Sequence, residues 1–259
     1  MTVAEIYQRD GIVQVPQLLE PAEVERIKKV YMEQVEADLS LGHDDGVPDD
    51  DPLKKYPRFV HPHRTDTAAG QIALELMLDD RILDVVQALI GPALGAQSMF
   101  YFKPPGARGQ ALHQDNTFLR ADPETCLAAW IAIDDVDSAN GGLKVVPGSH
   151  RSELLCPEAA DMTESFSSAQ VVVPEGLSQV QTKMTAGDVL FFHGSVVHGS
   201  RPNSTEDRFR RALIFHYIPE DSVEIASFYN PLIRPDRRET VLPEAIGGGP
   251  CGDYAEMEP

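Results

Sequence analysis

Two side chains able to hold a metal stand two residues apart, His113 and Asp115, in the stretch Gln-Ala-Leu-His-Gln-Asp-Asn-Thr-Phe at 110–118. On an extended strand alternate side chains share a face, so the imidazole and the carboxylate enter one space. A second imidazole would complete the two-histidine, one-carboxylate set that leaves open positions on a non-haem iron(II). His198, in Phe-Phe-His-Gly-Ser-Val-Val-His-Gly-Ser at 191–200, offers it. His193 competes for that place, but it lacks the Ser200 and Asn203 that follow His198 at short distance. A His-x-Asp pair alone is a weak signal, so the elements that would carry it decide its weight.

The first third of the chain reads as largely helical. Residues 12–16 form a short strand; Pro21 suits a first helical position, and Val24, Ile27, Tyr31 and Val35 mark an amphipathic helix over 21–39. Residues 40–57 are a loop whose Asp49-Asp50-Asp51 run reads as a solvated face. His61 and His63, separated by a proline, are expected at the surface or in a lid. Helices follow at 68–78 and 80–90, the second ended by Gly91-Pro92.

From about residue 96 the pattern turns to strands: 97–103, the His113 strand, 126–134, 143–146, 179–183, 188–193, 196–199 and 210–218. Pro104-Pro105-Gly106, Asn140-Gly141-Gly142 and Pro147-Gly148-Ser149-His150 punctuate them. Residues 151–178 have no period and read as an insertion or lid, and the tail 219–259 as irregular. Many short strands at this spacing indicate a sandwich or barrel. The expected fold is mostly β with helical additions. It is a double-stranded β-helix (a jelly roll, cupin-like) over about 96–218, flanked by a helical part at 1–95, within one domain spanning 1–259. Such a fold brings distant strands together, which suits the 85 positions between His113 and His198.

Alternation also sorts the side chains around the metal candidates. On 210–218, Arg210, Ala212, Ile214 and His216 share one face, and Arg211, Leu213, Phe215 and Tyr217 the other. An arginine can grip a carboxylate through two parallel hydrogen bonds. On 97–103, Gln97, Met99, Tyr101 and Lys103 share a face. A lysine and a glutamine on an otherwise apolar strand suggest a polar cavity, with Gln97 as a substrate contact.

Composition excludes several classes. There are 41 acidic and 22 basic residues, a net charge of −19, which argues against a nucleic-acid partner. No apolar run reaches the length of a membrane span. Three scattered cysteines, Cys126, Cys156 and Cys251, read as reduced thiols in a cytoplasmic protein. Oligomeric state is not legible in the sequence.

These motifs, in this order, resemble the phytanoyl-CoA dioxygenase family of Fe(II)/2-oxoglutarate oxygenases. The pieces are Lys103-Pro104-Pro105, His113-Gln114-Asp115, Trp130, Asn140-Gly141-Gly142-Leu143, Val146 to His150, Gly187-Asp188, His198-x-Ser200-x-x-Asn203, Phe209-Arg210 and Arg211-Ala212-Leu213. The resemblance implies Fe(II) held by His113, Asp115 and His198. It implies 2-oxoglutarate held by Arg210 and Ser200, with Trp130, Met99 and Lys103 lining its pocket. The family arginine stands eleven residues after the distal histidine; here Phe209 occupies that place and Arg210 is twelfth, so a one-residue insertion in 201–208 is inferred and Arg211 is the alternative.

The implied reaction consumes O2 and 2-oxoglutarate, releases succinate and CO2, and hydroxylates an unactivated C–H of a small organic molecule. Related halogenases lack the carboxylate ligand; Asp115 is present, which favours hydroxylation over halogenation. Desaturation or cyclisation by the same iron chemistry is an alternative outcome. The acidic charge favours a small molecule other than an acyl-CoA. The alternative of another class is a jelly-roll protein that binds a metal or small molecule without oxidising it.

Overall fold

A computed structural model of the chain describes residues 1–38, 40, 42–43, 47–246 and 249. The strands are β1 (Ile12–Val15), β2 (Gly42–His43), β3 (Arg58–Val60), β4 (Ala93–Tyr101), β5 (Gln110–His113), β6 (Leu127–Ala132), β7 (Leu143–Val145), β8 (Glu158–Ala159), β9 (Ala169–Gln170), β10 (Val180–Gln181), β11 (Val189–His193), β12 (His198–Ser200), β13 (Ala212–Pro219), β14 (Leu232–Ile233) and β15 (Glu239–Thr240). The helices are α1 (Val3–Asp10), α2 (Pro21–Ala37), α3 (Pro52–Lys55), α4 (Ala68–Met77), α5 (Asp80–Ile90) and α6 (Asn116–Leu119). Among the described residues, a nine-stranded sheet runs β1-β11-β6-β13-β4-β14-β15, with β3 and β2 branching from β4. A four-stranded sheet runs β10-β7-β12-β5. Every named strand pairing is antiparallel. The two sheets enclose one apolar layer, which is the expected jelly roll.

Period-two alternation builds this arrangement. Ala128, Trp130 and Ala132 of β6, Leu190 and Phe192 of β11, and Ala212 and Ile214 of β13 face Leu143 and Val145 of the smaller sheet. Their neighbours Ala129, Ile131, Val189, Phe191, Leu213, Phe215 and Tyr217 face the other way, onto the apolar stripes of α2, α4 and α5. The expected helix over 21–39 is α2, and it buries the four residues that marked its stripe: Val24, Ile27, Tyr31 and Val35. Tyr31 stacks on Phe100 of β4 with ring centroids 3.8 Å apart, and its hydroxyl donates to the Ala69 carbonyl of α4. Phe100 is wholly buried at this junction of helix and sheet. Phe100→Ala is therefore expected to lower stability by about 3–5 kcal/mol, the range for a large core aromatic replaced by a cavity. Urea denaturation measures it, and a drop under about 1 kcal/mol would show that the layer does not pack there.

Several expectations need correction. α1 carries no apolar period long enough to read, yet Thr2 and Glu5 form a capping box that starts it. His61 and His63 are not at the surface. The His61 N–H donates to the Ser98 carbonyl, the His63 ring bonds the Ser98 hydroxyl at 2.6 Å, and both side chains are buried. Asp51 is not merely solvated: it caps α3 and pairs with Arg108 at 2.8 Å, while Asp49 and Asp50 are exposed. Residues 151–178 hold the β8–β9 pair, and the Val171 N–H donates to the Leu112 carbonyl on β5.

The tail is regular in part. β14 pairs with both β4 and β15, and Ile225, Tyr229 and Leu232 bury against Leu94 and Ile218. Its proline and glycine content hid this pairing, because the β4 edge supplies the backbone partners. Residues 251–259 lie outside the described ones. Cys126 is a buried free thiol whereas Cys156 is disulfide-bonded, so three reduced thiols is not the state observed; Cys251 lies outside the described residues. Among the described residues, no helix is long and apolar enough to cross a membrane.

Candidate metal centre

His113 ends β5 and His198 begins β12, and the two are direct partners across the antiparallel pair. Their ring centroids are 4.2 Å apart. Asp115 joins them by a turn, not by strand alternation. Its φ of −64° and ψ of −32° are helical and lead into α6. Asp115 Oδ1 thus lies 3.5 Å from His113 Nε2 and 3.6 Å from His198 Nε2. One ligand atom from each of the three residues falls within 4.8 Å of the others, a span that one metal ion can bridge.

The connecting residues lock this geometry. Gln114 is buried; its amide donates to the Ser195 carbonyl at 2.8 Å and its oxygen accepts from the Leu155 N–H at 2.8 Å. The Asn116 amide donates to the Ser195 hydroxyl at 2.7 Å. The His113-x-Asp115 turn is thereby tied to the loop that delivers His198.

The hydrogen bonds also suit a metal chemically. His113 Nδ1 faces the Ala111 carbonyl at 2.9 Å, and His198 Nδ1 faces the Val196 carbonyl at 3.0 Å. A carbonyl only accepts, so each Nδ1 carries the proton and each Nε2 turns a lone pair towards Asp115. Burial lowers the His198 pKa to about 4, against the opposing pull of Asp115. Burial alone would raise the Asp115 pKa. The neighbouring His198 and His216 outweigh it and hold the carboxyl well below its ordinary range. A neutral His198 imidazole beside an ionised Asp115 matches the protonation states that coordination needs.

Beside these three lies a cluster of buried cations. Arg210 is 3% exposed; its Nε donates to the Gly141 carbonyl at 3.3 Å and its guanidinium lies over the Trp130 ring, 5.5 Å from the centroid. Its two terminal nitrogens have no partner among the described residues. Lys103, also 3% exposed, donates to the Ser200 hydroxyl at 2.7 Å and the Arg201 carbonyl at 2.8 Å. Burial, then the charge of Arg210, lowers the Lys103 pKa well below its usual value, and burial lowers that of Arg210 to about 10. Gly141, at φ +76°, makes room for this lysine: a Cβ there would come within 2.7 Å of Lys103 Cδ. No carboxylate pairs with either cation among the described residues. Buried charges are normally paired, so the cluster has the form of an anion site.

A phytanoyl-CoA dioxygenase (PhyH) family model matches residues 7–212. The chain belongs to the phytanoyl-CoA dioxygenase family. It is 34% identical over 129 residues to "Phytanoyl-CoA dioxygenase 1" of Oryza sativa subsp. japonica, covering 49% of this chain and 46% of that protein. It is 25% identical over 236 residues to the peroxisomal phytanoyl-CoA dioxygenase of Mus musculus, covering 83% of this chain and 67% of that one. The chain thus spans about half the length of the plant relatives and two thirds of the mouse protein. Among solved structures it is similar to the epimerase SnoN in complex with Fe3+, alpha ketoglutarate and nogalamycin RO. The TM-score is 0.68 at 23% identity, covering 85% of this chain and 84% of that one.

Within this PhyH chain, the residues singled out from sequence gather as follows. His113, Asp115 and His198 converge, and Arg210, Lys103, Ser200 and Trp130 form the adjoining cation cluster. Met99 packs beside Trp130 and Ile214 in the layer between the sheets. Gln97 is buried, opposite His216 on the neighbouring strand. His193 lies elsewhere, against Tyr7 and His150, with Nδ1 accepting the Ser195 N–H at 3.0 Å. Arg211 pairs with Asp134 at 2.7 Å, and Arg208 with Asp137 at 2.8 Å on the surface. Sequence reasoning missed Gln114 and Asn116, although both lie inside the first motif noticed. It also missed the bond from His216 to Asp115.

Proposed function

We propose that the chain is an Fe(II)/2-oxoglutarate-dependent oxygenase that hydroxylates a C–H of a small organic molecule. His113, Asp115 and His198 hold the iron, and the 2-oxoglutarate carboxylate remote from the metal lies between Arg210, Lys103 and Ser200. The observation that carries this reading is the coexistence of two features: a neutral-imidazole and carboxylate cluster, and two buried cations that lack an anion. A bound iron would supply the oxidation, in which O2 and 2-oxoglutarate are consumed, succinate and CO2 are released and one oxygen atom goes to the substrate.

The chain's own groups do the rest. Arg210 offers a planar fork to a carboxylate and lies over the Trp130 ring. Lys103 steadies the Ser200 hydroxyl. The apolar layer of Trp130, Ile214 and Phe192 keeps water from the reacting groups. Gln97, whose amide makes no bond to another described residue, is a candidate contact for a polar group on the substrate. The net charge of −19 supports a small molecule other than an acyl-CoA. The neighbours SnoN and SnoK are named as an epimerase and a carbocyclase, so other outcomes of one iron chemistry belong among the products to be sought. One domain over 1–259 and a cytoplasmic setting are part of the proposal, although the mouse relative is named as peroxisomal and Cys156 is disulfide-bonded.

Supplied with Fe(II), 2-oxoglutarate and oxygen, the protein is expected to release succinate, faster in the presence of its substrate. A small-molecule screen read out as succinate tests this and would name the substrate class. If 2-oxoglutarate is never consumed, the protein is a binding module without oxidation.

A further inference from the structure

The two oxygens of Asp115 face different partners. Oδ1 is the atom near both His113 Nε2 and His198 Nε2. Oδ2 lies 3.1 Å from His216 Nε2. His216 is 2% exposed and stands on β13, directly across from Gln97 of β4 and Ala128 of β6. The register of β13 against β4 shifts between His216 and Tyr217, a bulge of the kind that re-aims a side chain.

The tautomer follows from the contacts. A carboxylate oxygen only accepts, so the 3.1 Å contact is a hydrogen bond only if Nε2 carries the proton. The opposite tautomer would set two lone pairs against each other in a dry site. It would also leave a buried N–H donor at Nδ1, which has no partner among the described residues. With the proton on Nε2, the unpartnered atom is a lone pair, the less costly group to leave unpaired.

We propose that His216 is the positioning residue for Asp115: its Nε2–H holds Oδ2, so that the carboxylate presents Oδ1 alone to the metal. This rests on the reading that Asp115 is a ligand. A carboxylate free to rotate could bring both oxygens onto the ion and fill a position that the co-substrate or oxygen needs. Fixing one oxygen keeps that position open. His216 stands on β13 and Arg210 lies two residues before its start, so one short segment carries both the co-substrate clamp and the brace on the metal ligand.

The test uses Co(II), whose visible d–d bands report coordination geometry without turnover. His216→Leu removes the donor. His216→Asn keeps an amide but places its nitrogen near the Nδ1 position, too short to reach Oδ2. His216→Gln places an amide N–H near the Nε2 position. Leu and Asn are expected to weaken Co(II) affinity roughly 10–100-fold, as removing a hydrogen-bond partner of a ligand typically does, and to alter the d–d spectrum. Gln is expected to restore both to near the wild-type values. Melting of the metal-free proteins separates this from misfolding, and the Asn and Gln pair decides the matter if Leu does not fold. Wild-type affinity and spectrum in Leu or Asn would overturn the proposal, as would a Gln variant no better than Asn. Asp115→Ala is measured alongside. If it binds Co(II) as tightly as the wild type, Asp115 is no ligand and the underlying assignment falls, an outcome distinct from failure of the brace alone.

Discussion

His198→Ala is expected to abolish measurable Fe(II) binding and all turnover, while His193→Ala binds the ion as the wild type does. The two histidines lie five residues apart and both are depressed in pKa to about 4, in each case chiefly by burial. Their settings differ. His198 Nε2 points at Asp115 Oδ1, 3.6 Å away. The His193 ring packs on Tyr7 and His150 and has its Nδ1 occupied by a backbone N–H. Removing one of the three proposed ligands should exceed the roughly 10–100-fold penalty of removing a supporting partner. Equilibrium dialysis against Fe(II) measures it without needing a substrate. Retained binding in His198→Ala, with none in His193→Ala, would move the site to the other side of β11.

The second large effect is expected at Arg210. Its guanidinium is buried, lies over the Trp130 ring and is unpaired by any carboxylate among the described residues. Removing a bidentate charged hydrogen bond from such a site costs about 2–5 kcal/mol, and the lower figure alone is about a 30-fold weaker interaction. Arg210→Ala should therefore raise the KM for 2-oxoglutarate at least about 30-fold and leave Fe(II) affinity nearly unchanged. The other two arginines serve as controls. Arg208 pairs with Asp137 at the surface, where an ion pair contributes little. Arg211 pairs with Asp134 beneath α2 and beside Phe209, away from Trp130, so its replacement should lower stability without changing the co-substrate requirement. Initial rates across a 2-oxoglutarate series distinguish the three. A large KM effect at Arg211 would show that the expected register of this strand is displaced by one residue.

What the sequence disclosed, and what it withheld, follows from the range of the interactions. Alternation is local, so the two faces of β13 were legible, although the strand begins at Ala212 and the inward Arg210 and outward Arg211 stand just before it. His113, Asp115 and His198 were legible because ligand chemistry and short spacing point to the same residues. Strand alternation accounts for His113 but not for Asp115, which reaches the site through a turn.

Interactions between distant segments were not legible. His216 meets Asp115 across 101 positions, and Lys103 meets Ser200 across 97. The depth of Lys103 became clear only with Gly141 folded beside it. Asp51 looked like one of three solvated acids because Arg108, its partner, is 57 positions away. His61 and His63 looked exposed because Pro62 suggested a loop. In the folded chain that turn is pinned to Ser98, and Arg64 bonds the Tyr229 carbonyl of the tail at 2.8 Å.

The central claim is that one ion held by His113, Asp115 and His198 also receives 2-oxoglutarate from the Arg210 side. An anaerobic titration tests it most directly, because it needs neither substrate nor turnover. Fe(II) and 2-oxoglutarate added together to the wild-type protein should produce a visible charge-transfer band, with neither alone sufficient. The band should be absent in Asp115→Ala, and in Arg210→Ala it should appear only at much higher 2-oxoglutarate concentration. A wild-type protein that binds Fe(II) yet shows no band at saturating 2-oxoglutarate, or a band that survives intact in Asp115→Ala, would contradict the account.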